Sequence, residues 1–349
     1  MTLKWFLICV PAAFAASWME ANPILIFCLS ALALIPLAQL MGDATEDLAH
    51  YLGPSVGGLL TATMGNIPDI IISAFALHHG LVEVVKASIT GAIVGNLLLG
   101  VGLTCLLGGL RHRAGQSFDI RSSHLMSGLL LLSTIGLIIP AIFDFSTASE
   151  NEISLEISAV LLLTYLVSVY FTLKNPQSEL EVPMISVAEE DQRDPTQRSA
   201  AQAARLLGVS TLVLAGVSEV LTDAIEPAAG MMGFTPIFTG IFLLAPLGAA
   251  AEVMNAVRFG LRDKMDLALA SCIGSSSQTA LLTAPIMVFV GMAIHQPMEL
   301  LFSQFQVIAV ILAVAAVNNT LNIGTVRWIS GVKLIAVYLM LGIGFYYQP

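Results

Sequence analysis

The chain has 349 residues and a net charge of −10; 56% of residues are apolar and only 11% charged, and the mean hydropathy is +0.86. A soluble domain carries about 25% charged residues, so this composition excludes a soluble globular fold. No nucleic-acid partner is expected. Strand alternation is missing, which argues against a membrane barrel. Four scattered cysteines (Cys9, Cys28, Cys105, Cys272) make neither a disulfide framework nor a metal knuckle. They read as small apolar packing residues.

Apolar runs of about 18 residues or more, enough to cross about 30 Å of hydrocarbon as helix, predict eleven spans. They cover roughly 3–19, 22–42, 54–78, 82–108, 122–143, 153–173, 202–224, 234–258, 265–294, 303–322 and 330–347. The predicted fold class is an all-α polytopic membrane protein embedded in the lipid bilayer. Residues 1–21 form a leading helix, 22–173 a first half, 174–201 a linker and 202–349 a second half. Lys4 followed by WFLICVPAAFA also resembles a signal peptide, but the very short loop that follows favours an uncleaved helix. The linker, KNPQSELEVPMISVAEEDQRDPTQRSAA, is acidic and reads either as a solvated loop or as a short acidic helix that feels cytosolic cations.

Of the 14 Lys and Arg residues, all but Lys86 fall on one side when the spans alternate from a cytoplasmic N-terminus. The positive-inside rule then places that side, and the linker, in the cytoplasm. The C-terminus lies outside, and the membrane is the plasma membrane.

The spans contain a duplication. Residues 65–96, GNIPDIIISAFALHHGLVEVVKASITGAIVGN, align without a gap on 248–279, GAAAEVMNAVRFGLRDKMDLALASCIGSSSQT. Gly65 matches Gly248, Asp69 matches Glu252, Ser88 matches Ser271 and Gly91 matches Gly274, all 183 positions apart (252 − 69). Further back, TEDLAHYLGPSVGG resembles SEVLTDAIEPAAGMMG, pairing Glu46 with Glu219. Five spans separate each pair, and an odd number inverts orientation. The halves are therefore predicted to be five-helix inverted-topology repeats, an arrangement suited to alternating access around a midplane site.

An acid in a bilayer is expensive and points to function. Asp69 and Glu252, at equivalent places in two halves, imply one shared cation site. Hard divalent cations take several oxygen ligands, at about 2.3–2.6 Å for calcium. With the ion gone, two desolvated carboxylates close together tend to pick up protons. One site then holds either a cation or protons, which is the minimum chemistry of exchange. Gly65 with Pro68, and Gly248 with Pro246, are expected to break the helix ahead of each acid and free backbone carbonyls as ligands. Asn66 and Asn255 lie three residues from the acids on the same face. Asn96, Ser275, Ser276, Ser277 and Gln278 are expected to complete the shell or relay protons, with plain helix contact as the alternative. Glu46 and Glu219 end their spans and read as entrance acids or as wet interfacial ones. Asn318, Asn319 and Asn322 read equally as helix glue, and His78 and His79 as exposed loop residues. No cofactor is expected, and no His-Cys or Ser-Lys pair is spaced for an intramembrane enzyme. A channel is the alternative from another class, against which the inverted repeats favour exchange.

These residues resemble the calcium/cation antiporter superfamily, most closely its cation/proton exchanger branch. TEDLAHYLGPSVGGLLTATMGNIPDIIISAFAL is similar to that branch's first signature, and PLGAAAEVMNAV with DLALASCIGSSSQTALL to the second. The resemblance implies an eleven-span exchanger that exports Ca2+ or a similar cation in exchange for H+, with Asp69 and Glu252 as ligands. It leaves sodium coupling and monovalent cation/proton antiport as alternatives. The chain departs from the pattern at Asp69, where Glu is usual, and at Ile67-Pro68, Ala249 and Val253. Ile323, Arg327 and Ser330 likewise stand where Asp, Asn and Glu are typical.

Overall fold

Several helix starts are built from the side chains that precede them. Asn22 accepts from the Ile24 amide at 2.9 Å, with Pro23 in the first turn, where its missing N–H leaves no gap. Ser199 with Gln202, and Ser303 with Gln306, form reciprocal capping boxes. The computed structural model of the protein describes residues 2–113, 115–142, 147–174 and 198–348. Among these residues ten helices are long and apolar enough to cross a membrane, and Trp5–Trp18 is a shorter apolar helix at the place of the expected leading span. The fold is therefore the expected all-α polytopic one. The linker expected at 174–201 falls mostly at 175–197, outside the described residues.

Two long helices run past the ends that hydropathy suggested. Pro23–Leu52 continues beyond 42 and stops only at Gly53, with φ +80°, and Pro54. Ala200–Met232 continues beyond 224 and stops at the left-handed Gly233. Apolarity ends before the helix does, because polar helix formers prolong it until a breaker arrives. One expectation is corrected as a result: Glu219 sits exposed in the interior of its helix rather than at its end.

These two helices pack along each other. Phe27, Ala31, Leu34, Ala38, Met41 and Thr45 are buried at alternating spacings of four and three, and so are Leu214, Val217, Leu221, Ala224 and Ala228. That spacing lays each set along one seam, as in a coiled coil. At one end Thr211 Oγ1 rests 3.4 Å from Met41 Sδ. At the other, His79 meets Asp223 at 3.3 Å, so this histidine has a partner.

The remaining spans enclose a second core around Val82–Val94 and Met265–Gln278, the most deeply buried helices. Each is prolonged through a π-helical turn, Gly95–Gly100 in one and Thr279–Thr283 in the other. A third π turn, Thr239–Leu244, leads into Ala245–Leu261. Such turns add a residue to a helix and concentrate at functional sites. A Cβ at Gly91 would lie 2.6 Å from the Ile241 Cα, so only glycine lets these helices meet there. Cys105 and Cys272 are buried as expected, whereas Cys28 is exposed. A two-residue ladder, Gln116–Ser117 antiparallel to Thr325–Val326, joins two loops. Gln116 Nε2 ties a third loop to them, donating to the Gly260 carbonyl at 2.7 Å and to Asp263 at 3.0 Å.

Candidate cation-binding site

In the first half the third span is broken. Pro54–Gly65 ends at Asn66, and Ile67–His78 begins again with Pro68 in its first turn and Asp69 beside it. Pro68 lacks the N–H that would continue the ladder. The interruption is local: a backbone N–H at the cap still donates to the Met64 carbonyl, and the Ile70 amide donates to the Asn66 carbonyl at 3.0 Å. The second half differs from expectation. Pro246 and Gly248 do not break the chain: Ala245–Leu261 is continuous, and the irregularity is displaced upstream into the π turn Thr239–Leu244. Pro246 is tolerated because it lies in the first turn after that irregularity.

The two acids meet through their glycines. A Cβ on Gly248 would fall on Asp69 Oδ1, and a Cβ on Gly65 would lie 3.5 Å from Glu252 Oε1. Each acid thus abuts the glycine that precedes the other by one helical turn, across the two halves. Such reciprocity, in which i meets j and the counterpart of j meets the counterpart of i, is the mark of a two-fold relation. Ser276 Oγ lies 3.5 Å from the carbonyl of Ile93, its own counterpart in the duplication.

Around the acids lies a buried polar shell. Asn96 Nδ2 donates to Glu252 Oε2 at 3.2 Å and to Ser275 Oγ at 3.0 Å, and Ser275 Oγ donates to the same carboxylate oxygen. Asn66 Nδ2 donates to Gln278 Oε1, joining the break in the first half to the small-residue helix of the second. Asn66, Asn96, Ser275 and Gln278 are buried, while Asp69 and Glu252 are half-buried and Gly65 is exposed. The carbonyl oxygens Asn66 Oδ1 and Asn96 Oδ1 are buried without a donor. Such oxygens are costly unless something electropositive meets them. Carboxylate and amide oxygens are donors of the hard kind that a calcium-type cation takes. Among the described residues, no group of three or more His, Cys, Asp or Glu side chains gathers to offer a different kind of metal site.

Not every expected residue joins this cluster. Asn255 turns its carbonyl to Arg258 Nη1 at 3.3 Å. Ser276 and Ser277 donate to carbonyls of their own helix, Cys272 at 2.9 Å and Ile273 at 3.0 Å. Glu46 is half-buried near the end of Pro23–Leu52, and Glu219 is exposed. Asn318 keeps a buried oxygen without a partner in a different helix. Sequence reasoning passed over Arg258 and Gln39. Arg258 counted only toward orientation, and Gln39 is a lone amide in an apolar span.

The sequence model of the family described as "sodium/calcium exchanger protein" matches residues 22–174 and 203–347. A Synechocystis protein named "Ca(2+)/H(+) antiporter" is 36% identical over 98% of this chain and 96% of its own length. The Bacillus subtilis "Ca(2+)/H(+) antiporter ChaA" is 34% identical over 97% of this chain and 96% of its own. The solved structure of native YfkE superposes with a TM-score of 0.85 at 32% identity, covering 98% of this chain and all of the other. Matched in both halves and at nearly full length, the chain belongs to the sodium/calcium exchanger protein family.

Proposed function

We propose that the chain is a secondary active antiporter that exports Ca2+, or a similar hard cation, from the cytoplasm in exchange for protons. The observation that carries this reading is the reciprocal seating of Asp69 and Glu252 against Gly248 and Gly65, inside a shell with two orphaned amide oxygens. The names carried by the Synechocystis and Bacillus subtilis relatives support the same exchange.

The mechanism follows from mutual exclusion. A divalent cation is held by Asp69 and Glu252, with Asn66 Oδ1 and Asn96 Oδ1 completing the oxygen set. Ser275 and Gln278 position these groups: Ser275 by donating to Glu252, Gln278 by fixing Asn66. Gly248 leaves the room that the Asp69 carboxylate occupies, and Gly65 stands beside Glu252. When protons occupy the carboxylates, the charge that holds a divalent ion is gone. Loading one species thus expels the other, and the transported ion is cargo rather than a resident cofactor. Residues 22–173 and 202–349 act as the two inverted repeats that rock about this site, in line with the reciprocal contacts. Helices packed into two arrangements can do this without opening a continuous pore.

In this reading the protein lies in the plasma membrane, with its N-terminus and the 174–201 linker in the cytoplasm and its C-terminus outside. Arg262→Cys and His295→Cys, in a background without the native cysteines, should label from opposite faces; labelling of both from outside in intact cells overturns the orientation. The function is tested by Ca2+ flux in proteoliposomes under an imposed pH gradient, then under a sodium gradient. Uptake driven by the pH gradient is expected. Uptake that responds only to sodium transfers the site to sodium-coupled exchange.

A further inference from the structure

The Ala245–Leu261 helix carries a guanidinium that the exchange reaction described above does not use. Arg258 is half-buried, three residues before the end of that helix and six residues beyond Glu252. Its Nη1 donates to Asn255 Oδ1 at 3.3 Å. With its amide oriented so that the carbonyl faces the guanidinium, Gln39 of the Pro23–Leu52 helix accepts from Nη1 at 3.1 Å and from Nη2 at 2.8 Å. The planar fork is thus held from both halves of the molecule, by an amide on its own helix and an amide on another. Asn255 stands between Glu252 and Arg258 along one helix, at steps of three residues.

Arginine stays charged at every relevant pH. A fixed positive charge six residues beyond Glu252 on the same helix opposes a cation held by that acid. Asp43 and Glu46 lie one and two turns beyond Gln39 on the same helix, and Arg262 caps the helix of Arg258 one turn further on. We propose that Arg258 is a tethered cation guarding one mouth of the carboxylate site: it occupies the Asn255 carbonyl and repels the entering ion in proportion to its charge. It is a positioning and specificity-determining residue, acting on the ion through Asn255 and through space. Gln39 holds the guanidinium in place. A cation that draws the Asn255 carbonyl to itself leaves Gln39 as the guanidinium's remaining amide partner, so Arg258 sets how readily that mouth loads and releases.

The inference rests on the exchange reading, and its test separates the two. The measurement is Ca2+ transport by the purified full-length chain in proteoliposomes, with Na+ as a competing inhibitor, for wild type, Arg258→Met and Arg258→Lys. Six residues of helix rise about 9 Å, and one unit charge at about that distance from a divalent ion in a wet site corresponds to a shift of roughly fivefold, and about twofold for a monovalent ion. Arg258→Met should therefore lower the KM for Ca2+ roughly fivefold and the inhibition constant for Na+ only about twofold. Arg258→Lys, which keeps the charge, should stay close to wild type in both and controls for loss of folding. Equal shifts for Ca2+ and Na+, or a lysine variant that behaves like the methionine one, would mean that the side chain acts by packing and overturns the proposal. Wild-type transport with an unchanged KM in Arg258→Met sinks this inference alone. Absence of any Ca2+ transport by wild type sinks the exchange reading and this inference with it.

Discussion

In the first copy of the duplicated segment the helix breaks at Asn66 and restarts two residues before a short acid, Asp69. In the second copy the helix runs through without interruption and carries a longer acid, Glu252. The partners differ as well. Asn66, at the break, donates to Gln278 of the opposite half, whereas Glu252 receives Asn96 and Ser275. The counterparts of Asn66 and Asn96 are Ala249 and Thr279, so neither amide is duplicated. The acids and their glycines obey a two-fold relation, and the neutral shell around them does not. Charge is what must be shared equally to neutralise one ion; the uncharged oxygens need only fill the remaining coordination positions, and either half can supply them.

The largest effects should come from the symmetric part. Asp69→Asn and Glu252→Gln preserve shape and remove the charge that competes for cation and proton. Each is expected to abolish Ca2+-driven proton movement, read with a pH-sensitive dye in proteoliposomes, while the protein stays folded in detergent. Exchange surviving in either variant breaks the equivalence of the two acids.

Next comes pH. If cation and proton use the same carboxylate oxygens, removing the proton competitor must strengthen cation binding. Each displaced proton makes the affinity climb by roughly tenfold per pH unit. Between about pH 6 and about pH 8 the apparent Ca2+ affinity should rise and then level off once both carboxylates are ionised. A flat profile over that range, with Na+ displacing the cation, would move the site from proton to sodium coupling.

The duplication makes the acids and glycines readable from the residues alone, because two copies at a constant offset report which positions a shared site constrains. The shell is readable only in part. Ser275 and Gln278 stand among neighbours of the same type, yet nothing in the string SSSQ says that Ser276 and Ser277 turn back onto their own helix. That choice depends on which helix face meets Glu252. The break ahead of Asp69 is legible from Gly65 and Pro68. The continuity ahead of Glu252 is not, because a π turn upstream can absorb a proline, and π turns have no composition of their own. Arg258 is hidden for a related reason: a basic residue near the end of a span is ordinary in sequence, and only its reach to Gln39 makes it unusual.

The glycine pair sharpens the comparison further. A methyl at Gly248 lands on the Asp69 carboxylate, whereas a methyl at Gly65 meets Glu252 at ordinary contact distance. Gly248→Ala should therefore displace a ligand and weaken Ca2+ binding by about 1–3 kcal/mol, the range for disrupting a buried charged contact. Gly65→Ala should leave binding within about twofold, well under 1 kcal/mol. Equal losses from both would indicate that the glycines serve helix packing alone. Isothermal titration with Ca2+ on the two purified variants distinguishes these outcomes.

The smallest effects should come from changing arm length while keeping charge. Glu252→Asp withdraws the carboxylate from Asn96 and Ser275, two hydrogen bonds that have no counterpart at Asp69. Loss of such bonds is worth about 1 kcal/mol or somewhat more, hence roughly five- to tenfold in Ca2+ affinity. Asp69→Glu introduces the acid usual in proteins that this chain resembles. The added methylene must fit where Asp69 already meets Gly248, so a cost of about 1 kcal/mol, the low end for one inserted methylene, is expected, and with it a change of about fivefold. The double exchange, Asp69→Glu with Glu252→Asp, restores one short and one long arm but transposes them between the broken and the continuous helix. If only the sum of the arm lengths mattered, the transposed pair would regain wild-type affinity. If each arm is matched to its own helix, as the unshared hydrogen bonds require, the double variant should remain at least as weak as Glu252→Asp. The coupling term of this double-mutant cycle, read from Ca2+ titrations at fixed pH, measures how far the two halves have diverged around a common charge.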